Sequence, residues 1–175
     1  MKTITRIMLV MMLTMSVWIS CNLLYSPTDD SVLVPHITYE DLNKETRLQI
    51  DCLAENIYFE ARGESDPGKA AVAFTTLNRT HDREFPNTIC KVVKQRTDRT
   101  CQFSWVCDKS INTNNKDVIL YRKCRDIAVF VYVNSDMWIK DNTNGATYYH
   151  ADSIQPNWKH LHRITVIGHH IFYRS

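Results

Sequence analysis

Glycine is scarce in this sequence, with four residues in a chain of 175. This scarcity argues against a loop-dominated or solenoid fold, and we find no internal repeat and no low-complexity tract. Hydrophobic residues make up 44% and charged residues 23%, which is typical of a globular protein and excludes wholesale disorder. The length suffices for one domain with its own core.

The chain also has little net charge, with 21 basic residues against 19 acidic ones. The first acidic residue is Asp29, so loss of an N-terminal segment that contains Lys2 and Arg6 leaves 21 minus 2, or 19, basic residues and all 19 acids. A phosphate-binding surface needs excess positive charge. The sequence therefore does not predict a nucleic acid as partner.

The N-terminus contains the longest apolar run. Lys2 and Arg6 precede residues 7–20, a mostly apolar run of 14 residues that resembles a secretory signal. The run is too short for a comfortable membrane span. We therefore predict that residues 1–21 are a signal peptide or a membrane anchor, with attachment to a membrane through residues 7–25 in the second case.

Two further features of this region affect the expected location. Cys21 ends the apolar run, so lipidation at this residue is a third alternative. Residues 22–38 are polar, contain Pro27 and Pro35, and are predicted to be a linker to a domain over residues 39–175. The protein is expected to be exported, to the periplasm or the extracellular space.

The cysteines fit an exported chain, because disulfides persist in oxidising compartments. The close pair Cys101 and Cys107 is the first choice for a bond, and Cys52 with Cys90 is the second. Connectivity cannot be derived from the sequence, and the alternative is a set of buried free thiols. The five cysteines beyond Cys21 are Cys52, Cys90, Cys101, Cys107 and Cys124.

Helical patterns dominate the remaining chain. We predict one helix from Thr38 or Asp41 to about Ala61, a second with Asp66 as N-cap to about Asn78, and a third over about 117–133. The segments ATYYH and RITVIGHHIFYR are β-branched and aromatic and predict short strands. The expected fold class is α+β, with helices dominant and a small β element.

Two glutamates in the stretch NIYFEARGES are candidates for chemistry. Glu60 borders the apolar stripe of the first helix, where partial desolvation raises the pKa of a carboxyl group, as a general acid requires. Glu64 follows the helix end and could orient Arg62 or a substrate hydroxyl. The alternative is a solvated surface pair of these glutamates with Arg62 and Lys69.

A series of motifs gives these glutamates a context. NIYFEARGES is followed by GKAAVAFTTLNR, FPNTIC, CQFSW, GATYYH and IGHHIF, over about residues 52–173. This combination resembles the SleB/CwlJ-type cell wall hydrolase family. The resemblance implies a lysozyme-like, lytic transglycosylase-like single domain that acts on peptidoglycan without a cofactor or metal.

The resemblance also implies roles for individual residues. Glu60 is the expected catalytic acid, which would work alone and close a 1,6-anhydro ring on the muramic acid. Glu64 is expected in a supporting, substrate-binding role. Asn78 and Arg79 are expected to cap and to pair with the first helix, and His170 and Phe172 to pack. Substrate-binding residues of the cleft would be Phe103, Ser104, Trp105, Tyr148, Tyr149 and His150, although Trp105 and Tyr149 could instead be core residues.

Three other functions are compatible with single features of the sequence. A zinc-dependent amidase or peptidase would use the C-terminal histidines, but no HExxH motif is present. A cysteine peptidase would use Cys52 with His150, but Cys52 lies inside a predicted helix. A non-catalytic wall-binding module would not need the glutamate motif. A phage lysis enzyme and a bacterial envelope-remodelling enzyme look alike here. The histidines in question are His150, His160, His162, His169 and His170.

Overall fold

The computed structural model describes residues 37–98, 100–136 and 139–175. The predicted export segment 1–21, with Cys21, and the linker up to His36 lie outside the described residues. Residues 37–175 form one compact unit. No helix within the described ranges has the length and hydrophobicity needed to cross a membrane.

Helices provide most of the structure, as predicted. A 3₁₀ turn at Tyr39–Asp41 precedes α1, and two short helices lie between the second and third long ones. The α-helices are α1 (Lys44–Ala61), α2 (Asp66–His81), α3 (Ile89–Val93), α4 (Ser104–Cys107) and α5 (Val118–Asn134).

The helix starts differ from the sequence prediction at two places. Asn43 caps α1, accepting a hydrogen bond from the Thr46 backbone N–H at 2.9 Å, so the helix begins later than Thr38 or Asp41. Ser65, not Asp66, caps α2 through its hydroxyl, and α2 continues to His81 instead of ending near Asn78. A serine hydroxyl is as good an N-cap acceptor as an aspartate, so composition alone could not choose between the neighbours.

Helix α1 lies at the centre of the core. Ile50, Leu53 and Ile57 on its apolar face are fully buried, as the helical spacing predicted. They pack with buried residues of α2, α3 and α5, including Val93 and Val131. The last turn of α1, which contains Glu60, is therefore held by the best-packed part of the molecule.

The predicted β element is a three-stranded antiparallel sheet in the order β1–β3–β2. The hairpin between β2 and β3 turns at Gly168, whose φ of 57° is a backbone conformation that L side chains rarely adopt. Phe172 of β3 is fully buried with Ala71 of α2, which joins the sheet to the helices. The strands are β1 (Tyr148–Ala151), β2 (His162–Ile167) and β3 (His170–Arg174).

A loop tied to α2 leads into β1. The Asp141 carboxylate accepts hydrogen bonds from the backbone N–H groups of Thr143 and Gly145, both at 2.7 Å. The Asn78 side chain donates to Asp141 at 2.9 Å, and Arg79 Nε donates to the Thr147 carbonyl at 2.6 Å. Asn78 and Arg79 are thus structural and hold the approach to β1, and Arg79 also acts on the first helix through its charge near Glu60.

Candidate active site

Glu60 lies on the last turn of α1 and is half-buried. The hydroxyl group of Tyr149, on β1, donates a hydrogen bond to Glu60 Oε2 at 3.1 Å. The structure thus brings together two residues that were predicted to belong to one site. The contact joins the helical core to the sheet at a partly open carboxyl group.

The electrostatics of Glu60 suit an acid. Burial raises the pKa of the Glu60 carboxyl, while the hydrogen bond from Tyr149 and the positive charge of Arg79 act in the opposite direction. Burial outweighs both, so the direction predicted from the edge of the apolar stripe agrees with the structure. Burial also raises the pKa of Tyr149 well above its usual value, so the phenol remains a hydrogen-bond donor.

Asn56 is a buried polar residue one helical turn before Glu60. The buried Asn56 amide donates to Thr76 Oγ1 at 3.2 Å and accepts from the Trp105 indole N–H at 3.3 Å. Asn56 also acts to lower the pKa of the Tyr149 phenol, against the larger effect of burial. The sequence analysis missed this residue. Its signal was a polar side chain four positions from Glu60 and adjacent to the apolar stripe, where a buried amide needs specific partners.

Arg79 supports the site from α2. Its guanidinium lies 5.2 Å from the ring centroids of both Phe85 and Phe103, and the residue is 2% exposed. Cation–π contacts and the hydrogen bond to Thr147 hold the charge near Glu60. The positive charge lowers the pKa of Glu60 without cancelling the effect of burial.

Two of the three residues of the CQFSW segment that were predicted to line the cleft are buried. Phe103 and Trp105 are buried, and Trp105 stacks on Phe59 with ring centroids 4.6 Å apart. Neither ring offers an open face to a sugar, so the prediction that both line the cleft is corrected to a supporting role. Ser104, at the first position of α4, is exposed and remains a proposed substrate contact.

The YYH segment divides between the two faces of the sheet. Tyr149 points toward Glu60, whereas Tyr148 donates to Glu84 Oε2 at 3.3 Å, and His150 stacks on Tyr173 on the other face. Side chains alternate along a strand, so three consecutive residues cannot all face one acid. Tyr148 and His150 therefore do not face Glu60 with Tyr149, and their role in substrate binding stays a prediction.

Glu64 is not part of a surface pair. Its carboxylate accepts a hydrogen bond from the His169 backbone N–H at 3.3 Å, and its backbone carbonyl accepts one from the buried Lys69 ammonium. The glutamate is directed to the β2–β3 turn. The structure gives no support to the expectation that it orients Arg62.

Two disulfide bonds, Cys52–Cys90 and Cys101–Cys107, match the two predicted pairs. The first links α1 to α3 and the second spans α4, while Cys124 is a buried free thiol. The bonded Cys52 cannot serve as a thiolate nucleophile. This finding removes the basis for the cysteine peptidase.

The C-terminal histidines lie in different surroundings. His150 is bonded to Ala151 and Tyr173, and His169 lies 3.3 Å from Asp152. His170 is buried and packs, with Phe172, against Tyr149, as expected. Among the described residues, no three His, Cys, Asp or Glu side chains are grouped to hold a metal ion.

The fold and the site define a lysozyme-like domain, in which one acidic group ends a buried helix and faces a small sheet. The sequence model of the cell wall hydrolase family matches residues 63–173. The chain belongs to this family, which confirms the resemblance seen in the sequence. The matched range begins just after Glu60, so the role of that residue depends on the geometry described above.

A curated protein is similar to this chain over most of the chain's length. The chain is 32% identical over 124 residues to a spore cortex-lytic enzyme of Oceanobacillus iheyensis, covering 70% of this chain and 40% of that protein. It thus spans about two-fifths of this curated relative.

Two solved structures are also similar. The catalytic domain of the germination-specific lytic transglycosylase SleB from Bacillus anthracis superposes with a TM-score of 0.58 at 30% identity, covering 76% of this chain and 99% of that one. The catalytic domain of Bacillus cereus SleB gives 0.52 at 30% identity, with 72% and 89% covered. These matches confirm the predicted fold class.

Proposed function

We propose that this chain cleaves the glycan strands of peptidoglycan as a lytic transglycosylase, with Glu60 as its single acid–base group. The observation that carries this proposal is the environment of Glu60. A half-buried carboxyl with a raised pKa faces a tyrosine hydroxyl and a guanidinium, and no second carboxylate of the described residues is among the groups that shift its pKa. Membership of the cell wall hydrolase family and the likeness to a lytic transglycosylase domain support it.

The reaction has two proton transfers. Protonated Glu60 gives its proton to the oxygen that links N-acetylmuramic acid to N-acetylglucosamine, while the bond from this oxygen to the anomeric carbon breaks. The resulting carboxylate then accepts the proton of the muramic acid C6 hydroxyl. The C6 oxygen bonds to the anomeric carbon and closes a 1,6-anhydro ring. Glu60 ends protonated, and no water is consumed.

The surroundings of Glu60 serve both steps. Burial raises the pKa of Glu60 and so favours the protonated carboxyl, which the first step needs. The Tyr149 hydroxyl and the charge of Arg79 stabilise the carboxylate that exists between the steps. Hydrolysis would need a second carboxylate about 5 to 10 Å away, to act as a nucleophile or to activate water.

Mass spectrometry of the fragments released from purified sacculi tests this function. We expect muropeptides with 1,6-anhydro ends, each lighter by one water than its hydrolysed counterpart. Hydrolysed glycan ends alone would contradict the transglycosylase step while keeping a glycosidase. Cleaved peptide stems with intact glycans would instead favour an amidase or peptidase, and no release would favour a binding module.

Under this proposal the chain acts outside the cytoplasm. The family name, the two disulfides and the basic start followed by an apolar run support export. A fusion of residues 1–30 to a reporter that works only outside the cytoplasm should be active, and a silent reporter would contradict export. Labelling with a fatty acid, lost on Cys21→Ala, would separate a lipidated anchor from a cleaved signal.

A further inference from the structure

The Glu64 side chain packs closely against two glycines, at positions where a larger residue would collide with it. A Cβ atom on Gly168 would lie 1.9 Å from Glu64 Oε2, and one on Gly68 would lie 2.9 Å from Glu64 Cβ. The Glu64 side chain is 11% exposed, and its carboxylate accepts from the His169 backbone N–H. The structure therefore seats this carboxylate tightly between the start of α2 and the β2–β3 turn.

The Glu64 carboxylate lies next to the side chain of His170. Glu64 Oε1 lies 3.9 Å from His170 Nδ1, which is too far for a hydrogen bond, and this buried ring nitrogen has no hydrogen-bond partner among the described residues. The backbone contact of Glu64 acts on His169, just before β3, and its side-chain contact acts on His170, the first residue of β3. Together they place the Glu64 carboxylate beside the His170 ring.

His170 in turn packs edge-on against Tyr149. The two rings are perpendicular, with centroids 5.2 Å apart, and the hydroxyl at the far end of the Tyr149 ring donates to Glu60. A continuous series of contacts thus runs from Glu64 through His170 and Tyr149 to Glu60. Its two ends are four residues apart in the chain, yet the connection passes through the sheet.

We propose that Glu64 is a positioning residue, which holds His170 and thereby the Tyr149 hydroxyl on Glu60, rather than a residue that contacts substrate. The inference rests on the proposed function for its catalytic meaning. Its structural content, the control of the Glu60–Tyr149 hydrogen bond, does not depend on which bond the protein cleaves.

Glu64 could act on Glu60 through its own charge or through the position of Tyr149, and these two mechanisms predict opposite changes in the pKa of Glu60 when Glu64 is replaced. Loss of the Tyr149 hydrogen bond raises the pKa of Glu60, because this bond favours the carboxylate. Loss of the negative charge of Glu64 alone would lower it or leave it unchanged. The groups that affect Glu60 are Tyr149 and Arg79, and those that affect His170 are Glu64, Asp152, His169 and His150.

Carbon-13 NMR titration of the Glu60 carboxyl is the direct test, with the signal assigned by its loss in Glu60→Gln. We expect Glu64→Gln to raise the Glu60 pKa by about one to two pH units, because a hydrogen bond to a charged group is worth roughly that much. Tyr149→Phe should raise it in the same direction. Glu64→Gln added to Tyr149→Phe should change it little further, since both act through one contact.

The matched control is Glu45→Gln, which removes an exposed glutamate from the first turn of the same helix and should leave Glu60 unchanged. If Glu64→Gln does not fold, as judged by circular dichroism, His170→Gln takes its place with the same expected rise. A Glu60 pKa that falls or stays constant in the folded variant overturns the proposal.

Kinetics on sacculi provide a second readout. Glu64→Gln should lower kcat several-fold and leave KM within about two-fold, because the substrate contacts remain. A raised KM with an unchanged Glu60 pKa would make Glu64 a substrate-binding residue and overturn the proposal. If the wild-type protein releases no glycan fragments, the proposed function fails, while the titration still decides the role of Glu64.

Discussion

The Tyr149 hydroxyl lies 3.1 Å from Glu60 Oε2, although the two residues are 89 positions apart in the chain. The contact joins the end of the central helix to the first strand of the sheet. Three further residues act on one of these two side chains. Asn56 and His170 act on the tyrosine, and Arg79 provides a positive charge next to the carboxyl.

Replacing Glu60 by glutamine should abolish activity and preserve the fold. The amide cannot donate a proton to the glycosidic oxygen, and loss of a general acid costs roughly 10²–10⁴ in rate. Release of soluble fragments from sacculi measures the loss, and circular dichroism checks the fold. Glu45→Gln is the matched control and should retain wild-type activity. Clearing of sacculi by Glu60→Gln at the wild-type rate would exclude the assignment.

The alkaline side of the pH–rate profile should report Glu60. The first step needs the protonated carboxyl, so activity is expected below the raised pKa of Glu60 and falls as the pH rises through it. Tyr149→Phe should shift this limb to higher pH. We would measure kcat/KM for both proteins over the same range, and a limb that moves to lower pH would contradict the geometry.

Stability should depend on pH through the same group. Because the pKa of Glu60 is raised in the folded state, its contribution to stability is fully present below the unfolded pKa and is lost as the pH rises through the folded one. Because the glutamine of Glu60→Gln cannot ionise, the variant does not lose this stability as the pH rises. The Tm of the variant relative to wild type should therefore increase from acidic to alkaline pH, and a constant difference would show that the pKa is not raised.

Asp141→Ala should destabilise the domain by about 1–3 kcal/mol, because it leaves several donors of the loop before β1 without their acceptor. Asp108→Ala is the matched control. Asp108 also accepts from the backbone N–H and hydroxyl two residues on, at Ser110, but it does so in an exposed turn. Urea unfolding of both variants checks the difference. Equal losses of unfolding free energy would mean that the bond between Asp141 and Asn78 adds no stability beyond that of an exposed turn.

The two disulfides should contribute unequally. Alanine at both Cys52 and Cys90, which are separated by 38 residues, should cost about 3–4 kcal/mol, whereas the six-residue separation of Cys101 and Cys107 predicts about 2 kcal/mol. Urea unfolding of the two double variants measures this. The smaller ring should also affect substrate binding, because it encloses Ser104, the proposed substrate contact, and holds Trp105 against Asn56. Equal binding with and without the ring would contradict that role.

Local patterns in the sequence determined the three long helices, the small sheet and the place of Glu60 beside an apolar stripe. Apolar spacing of three and four residues selects a helix face before any tertiary contact forms. The same spacing explains why Ile50, Leu53 and Ile57 are buried as expected. The family motifs then placed the proposed chemistry at the end of the first helix.

Only the tertiary structure decided which side chains meet Glu60. Strand alternation requires Tyr149 to point away from its neighbours Tyr148 and His150, but the face that meets the helix depends on how the sheet docks through Phe172. The partner of Glu64 is 105 residues away, at a turn whose glycine leaves room for the carboxylate. Such contacts depend on the packing of distant elements, and no local spacing specifies them.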